Sequence, residues 1–342
     1  MKCFTRFSVN KASQAALCAF ALLLSVLLGL SLGSARLSLP ETVLGILEGD
    51  STANGRILLY VRLPRVLAAV FAGSALAVSG AVIQEVLANP LASPGTIGVN
   101  AGAGFGAALC SASLGSVAPS SAMHSLMPLA SFSGALSAVI IVSSISERAG
   151  SSKITLILSG VAISSLLSAG TNLITTLFPD SLLRTHSFQI GGLSGVSFES
   201  LFPAGWLILI FILAVLIMGG ELDVLSLGEV SATSLGLNVK ACKFMFLASS
   251  AMLAGSAVSF AGLVGFVGLI VPHVARMVAG TGSSRRLIVL SALIGGAFFE
   301  GCDIASRMLF SPYELPTGIV TAFLGAPFFL FLLIKRRRGY RY

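Results

Sequence analysis

Charged residues are scarce in this chain. Only 10% of its 342 residues are Asp, Glu, Lys or Arg, whereas 55% are hydrophobic and the mean hydropathy is +0.97. A soluble globular domain has about 25% charged residues, so this composition excludes one and predicts an all-α polytopic membrane protein. The formal net charge of +8 does not predict nucleic-acid binding, because membrane proteins concentrate Lys and Arg in cytoplasmic loops.

Motifs for metal, disulfide and nucleotide chemistry are also missing from the sequence. The five cysteines are scattered without a C-x-x-C pair, and the three histidines, His124, His186 and His273, are far apart, so neither a disulfide framework nor a metal site is predicted. The dipeptide Gly-Lys does not occur, which excludes a G-x-x-x-x-G-K-[ST] phosphate loop and ATP hydrolysis by that route. We therefore predict no catalytic residue and no cofactor.

Long apolar runs dominate the sequence. One of them, 244–279, has 36 residues, and as a single helix it would extend about 54 Å, far beyond a hydrocarbon core of about 30 Å. Three glycines between 262 and 268 and then Pro272 offer a break. We divide this run near 261–265 and so predict ten spans in all. The other eight are about 12–32, 63–87, 95–118, 125–145, 154–178, 201–219, 287–310 and 316–334.

The first apolar run, 12–32, follows a basic segment and precedes the small residues Gly-Ser-Ala, a pattern that secretory signals also show. Its 21 residues are enough to span a membrane, so we expect an uncleaved first helix. A mature protein beginning at Arg36 would contradict this expectation.

Basic residues are distributed unevenly between alternate loops. Ten spans place both termini on one side, and both termini are basic, so the positive-inside rule predicts that they are cytoplasmic. That side then carries 15 of the 21 Lys and Arg residues. Of the remaining six, Arg62, Arg65 and Arg307 are unusual because they lie close to helix ends on the side where cations are disfavoured. The six predicted outside are Arg36, Arg56, Arg62, Arg65, Arg184 and Arg307.

Two apolar segments resemble each other. AGSALAVSGAVI (72–83) and AGSAVSFAGLVG (254–265) share six identities in twelve at an offset of 182, and Pro90 and Pro272 keep that offset. The predicted topology runs the first segment inward and the second outward, as an inverted-topology repeat requires. The predicted plan is one transmembrane domain, 1–342, with a first span at 12–32, repeat halves 63–178 and 244–334, and an inside loop at 219–240.

Glu300, Asp303 and Arg307 share one face of the ninth span, at positions i, i+3 and i+7. Acidic residues at membrane depth are functional candidates, so a proton-coupled secondary transporter using Glu300 and Asp303 is one hypothesis. The other is that Asp303 and Arg307, four residues apart, neutralise each other near the outer surface. We favour the second for Asp303, and it leaves the deeper Glu300 unexplained.

The longest inside loop, 219–240, is patterned. Its leucines and glycines predict two short amphipathic helices joined by turns, and its acidic residues lie on an otherwise basic side. A docking surface is favoured over a solvated connector, because a connector would expose many leucines.

Four stretches of this sequence resemble the FecCD family, the permease subunits of ATP-binding-cassette (ABC) importers for iron-siderophores, haem and vitamin B12. The resemblance runs from about residue 12 to the C-terminus and implies a type II importer permease with ten spans. A membrane anchor without transport would leave the first stretch without a purpose. The stretches are RLPRVLAAVFAGSALAVSGAVIQEVLANPLASPGTIGVNAGAGFGA (62–107), ELDVLSLGEVSATSLGLNVK (221–240), GLVGFVGLIVPHVAR (262–276) and ELPTGIVTAFLGAPFFLFLL (314–333).

The resemblance also implies partners and residue roles. The partners are membrane lipid, a second permease subunit (identical or paralogous), two cytoplasmic ATPase subunits and an external substrate-binding protein, in the cell (inner) membrane. The implied substrate is an iron(III)-siderophore or a related chelate such as haem or cobalamin. By likeness to the vitamin B12 permease, the implied roles are docking of the binding protein by Arg62, Arg65 and Arg307; ATPase coupling by Glu221, Asp223, Leu225, Ser226, Leu227, Gly228 and Glu229; and an inner gate at Asn89 and Leu91.

The sequence departs from the family pattern in two places. The segment 147–153 should hold the other half of the inner gate, but it does not align residue by residue. Glu300 stands where the family leads us to expect an apolar residue.

Overall fold

A computed structural model describes residues 11–33, 38–114, 120–150, 152–280 and 282–339. Within these ranges the chain is all-helical, as predicted. A π-helical turn, Leu58–Arg62, joins α3 to α4. The helices are α1 (Lys11–Ser31), α2 (Leu39–Glu48), α3 (Ala53–Ile57), α4 (Leu63–Val86), α5 (Val99–Leu114), α6 (Ser120–Arg148), α7 (Lys153–Leu177), α8 (Leu182–Ile190), α9 (Phe198–Ile217), α10 (Gly219–Ser226), α11 (Glu229–Ser234), α12 (Val239–Ala261), α13 (Val267–Ala279), α14 (Ser284–Met308) and α15 (Thr317–Gly339).

Ten of the helices in the described ranges correspond to the ten predicted spans. Seven of them are long and apolar enough to cross a membrane, and α5, α13 and the apolar part of α15 are shorter. The 13 residues of α13 extend only about 20 Å, so this helix covers part of a bilayer. Lys2, Arg6 and the possible cleavage point at Arg36 lie outside the described residues.

The apolar run 244–279 breaks where predicted. The helix α12 ends at Ala261, and its C-cap Gly262 has φ +67°, a conformation that favours glycine. The break lies among protein groups that satisfy its backbone, as irregular backbone at membrane depth requires. The amide of Leu263 donates to the carbonyl oxygen of Phe188 at 2.9 Å, and Gly192 donates to Ala261 at 2.8 Å.

Contacts between helices fix their relative directions. Gln14 and Gly29 of α1 lie beside Arg286 and Glu300 of α14, respectively, so α1 and α14 run parallel. The helix α4 runs the opposite way, because its residues contact α14 in reverse order. We call the end of the bundle where α4 begins and α14 ends the arginine end, and the opposite end, where α10 and α11 lie, the loop end.

The two similar segments differ in their position within the helices. Residues 72–83 lie wholly inside α4, whereas 254–265 runs past the end of α12 at Ala261. The two helices run in opposite directions, because α12, like α14, begins at the loop end beside α10 and α11. This direction agrees with an inverted repeat, and the division into repeat halves remains a prediction.

The central helix α4 packs on its neighbours through glycines. A Cβ atom on Gly73 would collide with the backbone of Gly295 in α14, and one on Gly80 would collide with the backbone of Gly268 in α13. Small residues therefore let these helices approach closely, as in other membrane bundles.

A Gly80→Ala variant tests this packing. Because the colliding atoms are backbone, α13 must move, and we expect the variant to lose about 1–3 kcal/mol of unfolding free energy. Gly301→Ala is the matched control: it lies in α14 with no heavy atom within 4 Å of a new Cβ, and alanine there should be neutral or stabilising by about 0.5–1 kcal/mol. Thermal unfolding of both purified variants measures the difference, and equal melting temperatures would contradict the close approach.

Candidate functional site

Asp303 is the centre of a buried charge cluster at the arginine end. Both of its carboxylate oxygens accept from Arg65 of α4, at 3.0 and 3.1 Å from Nε, and Oδ2 lies 3.0 Å from Nε of Arg307. The hydroxyl of Thr317 in α15 donates to Asp303 at 3.0 Å, and Arg65 also donates to Glu314 at 2.7 Å. The interpretation that Asp303 and Arg307 neutralise each other is confirmed, and the same carboxylate ties α4, α14 and α15 together.

Two arginines of the cluster cap the C-terminus of α1. Arg62 donates to the carbonyl oxygens of Leu30 at 2.5 Å and Ser31 at 2.8 Å, and Arg307 donates to that of Leu32 at 3.0 Å. The last carbonyls of a helix have no partner within the helix and carry partial negative charge. The two guanidinium groups therefore satisfy the end of α1, a role that the sequence did not indicate, because neither arginine belongs to α1.

The three arginines predicted to dock a binding protein thus lie together in space. They are also buried: Arg62, Arg65 and Arg307 are 5%, 7% and 4% exposed. In this arrangement each guanidinium binds the chain itself. An acidic side chain from a partner would have to compete with these internal acceptors, and the docking role remains a prediction.

Glu300 is fully buried one turn below Asp303 on α14. Its Oε1 lies 3.4 Å from Nη2 of Arg307, and its Oε2 has no hydrogen-bond partner among the described residues. The carboxylate packs against Gly29, where a Cβ atom would collide with it. The sequence left Glu300 unexplained, and the structure gives it a place in the same cluster.

The loop end carries the two short helices predicted within 219–240, here α10 and α11. Gly228 separates them at φ +100°, a conformation that favours glycine. Asp223 accepts a hydrogen bond from the amide of Ser284 at 2.6 Å and so satisfies the first turn of α14. Glu229 pairs with Lys243 of α12 at 2.5 Å. Both acidic residues therefore hold the pair of helices against the bundle.

The leucines of this segment divide into two sets. Leu222 and Leu225 are buried against the bundle, whereas Leu227, Val230 and Leu235 are 63%, 84% and 66% exposed. Three large apolar side chains exposed on so short a segment indicate a protein-contact surface. Of the other predicted coupling residues, Glu221 is exposed, and Ser226 donates to the carbonyl of Asp223.

The predicted inner-gate residues lie in the turn that follows α4, also at the loop end. The side-chain Oδ1 of Asn89 accepts from the amide of Leu91 at 3.0 Å, and Leu91 is exposed. From the segment 147–153, Glu147 pairs with Lys240 of α12 at 3.4 Å. The gate itself remains a prediction.

No metal-binding arrangement is found among the described residues: no group of three or more His, Cys, Asp or Glu side chains converges there. The charge clusters at both ends contain ion pairs between helices, and the cluster at the arginine end also contains pairs within α14.

Comparisons with known proteins agree with this architecture. Residues 21–335 match the FecCD transport family. The chain is 38% identical over 354 residues to the uncharacterized ABC transporter permease protein YvrB of Bacillus subtilis, covering 99% of each chain. It is 37% identical over 319 residues to the hemin transport system permease protein HmuU of Yersinia pestis, covering 92% of this chain and 95% of that protein.

A solved structure has the same fold. It is described as an inward-facing conformation of a metal-chelate type ABC transporter, and it superposes with a TM-score of 0.81 and 27% identity over 95% of this chain and 100% of the other. In the described part of the chain, ten apolar helices carry a cluster of ion pairs at one end and two short helices at the other, and this arrangement defines a multi-span membrane permease. The chain belongs to the FecCD transport family, so the predicted family and the transport role, rather than an enzyme, are confirmed.

Proposed function

We propose that this permease is the membrane subunit of an importer for an iron(III)-siderophore or a related metal chelate such as haem. The observation that carries the proposal is the apolar surface formed by Val230 of α11 with Leu227 and Leu235, which directly follow α10 and α11. The sequence lacks a phosphate-binding loop, so ATP must be hydrolysed by another subunit. The exposed apolar surface is suited to bind that ATPase subunit. The hemin permease relative and the metal-chelate structure support this substrate class.

We further propose that the loop end faces the cytoplasm, with both termini on that side, and that the permease resides in the cell (inner) membrane. The support is the concentration of cations at this end. Within the described residues these are Lys11, Arg148, Lys153, Lys240, Lys243, Arg276, Arg285, Arg286, Lys335, Arg336, Arg337 and Arg338.

The proposed assembly has two permease subunits, identical or paralogous, two ATPase subunits at the loop end and a binding protein at the arginine end. Coexpression of this chain with its ATPase subunit, followed by light scattering on the purified complex, tests the inner part of the assembly. If the second permease is a copy of this chain, we expect a complex of two permeases and two ATPases. If the second permease is a paralogue, the complex should assemble only when that paralogue is also expressed. A permease that retains no ATPase in either case would contradict the proposal.

The inner gate is proposed at Asn89 and Leu91, with 147–153 opposite. The support is that both segments lie at the loop end and that Leu91 is exposed and held by the side chain of Asn89. The turn at Asn89 follows α4, which packs on α10, and Glu147 pairs with α12, which pairs with α11. A movement of α10 and α11 can therefore be transmitted to both gate segments.

Docking of the binding protein at the arginine end is tested with Arg62→Gln. This change removes the cation but leaves the Arg65–Asp303 pair intact, and we expect docking to weaken about tenfold or more. Arg56→Gln is the matched control, because Arg56 is an exposed arginine at the same end. Surface plasmon resonance with the permease in nanodiscs measures both. Equal affinities for wild type and Arg62→Gln would contradict the docking role.

A further inference from the structure

A cavity of about 340 Å³ opens at the loop end between the end of α4, the end of α6, the start of α7, α11 and the start of α12. None of the residues assigned above to the docking of a binding protein lines it. One wall is α11, which carries part of the proposed ATPase surface. Another is formed by Glu147, Ser152 and Lys153 of the 147–153 segment, with Lys153 at the start of α7.

The polar lining of this cavity is basic. Lys153, Lys240 and Lys243 line it together with Glu147 and Glu229. Two of the lysines are paired within the lining, Lys240 with Glu147 and Lys243 with Glu229. Lys153 pairs with no carboxylate among the described residues, so one ammonium group remains for an anionic ligand.

Two largely buried serines also line the cavity. Ser143 and Ser146 lie one turn apart on α6 and line it, and they are 8% and 5% exposed. Neither hydroxyl makes a hydrogen bond to another described residue. Serines in helices commonly donate to the preceding turn, as Ser131 of the same helix does to Met127 at 2.7 Å. Because neither Oγ is fully buried, both hydroxyls are open to the cavity and can donate to a ligand with oxygen acceptors.

Apart from Ser152 and Thr233, the remaining lining is apolar, and it continues onto an exposed apolar surface. Leu87, Leu156 and Leu247 form buried parts of the wall. Phe244 also lines the cavity and is half exposed, as is its neighbour Met245. A ligand in this cavity therefore contacts a basic and hydroxylated part and an apolar part that opens onto the exposed side chains of Phe244 and Met245.

We propose that this cavity binds an anionic phospholipid. Its phosphate pairs with Lys153 and accepts from Ser143 and Ser146, while an acyl chain leaves along Phe244. Basic pockets between helices at the cytoplasmic face are suited to such headgroups. The assignment to the inner leaflet rests on the orientation proposed above. Because the cavity lies between α11 and the start of α7, the bound lipid bridges the ATPase surface and the proposed gate segment.

Native mass spectrometry of the purified permease, without ATPase or binding protein, tests this site. Phosphatidylglycerol and phosphatidylcholine with identical acyl chains are titrated separately, and we expect tighter binding of phosphatidylglycerol. Lys153→Gln should weaken that binding about fivefold. Arg148→Gln is the matched control, since Arg148 is an exposed cation at the same end that does not line the cavity, and it should bind as wild type does.

A second variant, Ser146→Leu, fills the cavity from its buried side and should abolish selective binding. Equal phosphatidylglycerol binding by wild type and Lys153→Gln would overturn the proposal, as would equal binding of the two lipids by wild type. Displacement of the lipid signal by inorganic phosphate alone, with no lipid preference, would identify a free-anion site instead and would also overturn it. Because the measurement involves neither ATP nor transport, its result is independent of the proposed importer function.

Discussion

An Asp303→Ala variant is expected to lose about 3–5 kcal/mol of unfolding free energy, the cost of breaking a buried ion pair from one side. The carboxylate of Asp303 binds Arg65 and Arg307 at once, and it is itself fully buried. Without this carboxylate, the buried positive charges of Arg65 and Arg307 are only partly neutralised. The substitution also removes the hydrogen bond that the hydroxyl of Thr317, at the start of α15, donates to Asp303. The loss should therefore loosen α4, α14 and α15 together.

Thermal unfolding in detergent, followed by size-exclusion chromatography with fluorescence detection, measures this effect. Glu314→Gln is the matched control, because it removes a carboxylate that also pairs with Arg65 but whose side chain is 32% exposed. We expect the control to cost at most about 1 kcal/mol. If Asp303→Ala does not reach the membrane, Asp303→Asn keeps the shape and permits the same comparison. Equal melting temperatures for the Asp303 and Glu314 variants would contradict the role of Asp303 as the tie between helices.

A Val230→Asp variant is expected to weaken ATPase binding by about 30-fold or more, the effect of losing a central contact residue in a protein interface. Val230 is the most exposed of the three apolar residues on the proposed surface. Val230 is not part of the hydrophobic core, and an aspartate at this position is solvated in the free permease. The fold should therefore be unaffected. In the complex it places an unpaired charge in an apolar contact.

Copurification of the ATPase with the tagged permease, followed by titration in nanodiscs, measures this affinity. Leu47→Asp is the matched control, because Leu47 is an equally exposed apolar residue on α2, away from the loop end. It should bind ATPase as wild type does. Undiminished ATPase binding by Val230→Asp would show that the ATPase docks elsewhere.

Features that depend on neighbouring residues in the chain were predictable from the sequence. The break after Ala261 follows from run length and from Gly262, and the pairing of Asp303 with Arg307 follows from a spacing of four residues. The two short helices α10 and α11 follow from a leucine pattern interrupted by Gly228. In each case the signal is local, because helix period and glycine conformation act over a few residues.

Features that depend on distant residues were not predictable in this way. Arg65 and Asp303 are 238 positions apart, and no local pattern in the sequence pairs them. Likewise, nothing near the end of α1 shows that Arg62 and Arg307 cap it, since cap patterns describe residues of the helix itself. The cavity beside Ser146 arises only when α6 and α12 pack, so its lining is scattered over the sequence.

We propose above that ATP hydrolysis by a separate subunit drives a metal chelate through this permease. Uptake into proteoliposomes tests it most directly, with ATPase and ATP inside, binding protein outside, and labelled haem and ferric siderophore as substrates. We expect uptake of one chelate that requires ATP, is abolished by vanadate and survives an uncoupler. Uptake without ATP that follows a proton gradient and collapses with the uncoupler alone would contradict it and would favour proton coupling through Glu300 and Asp303.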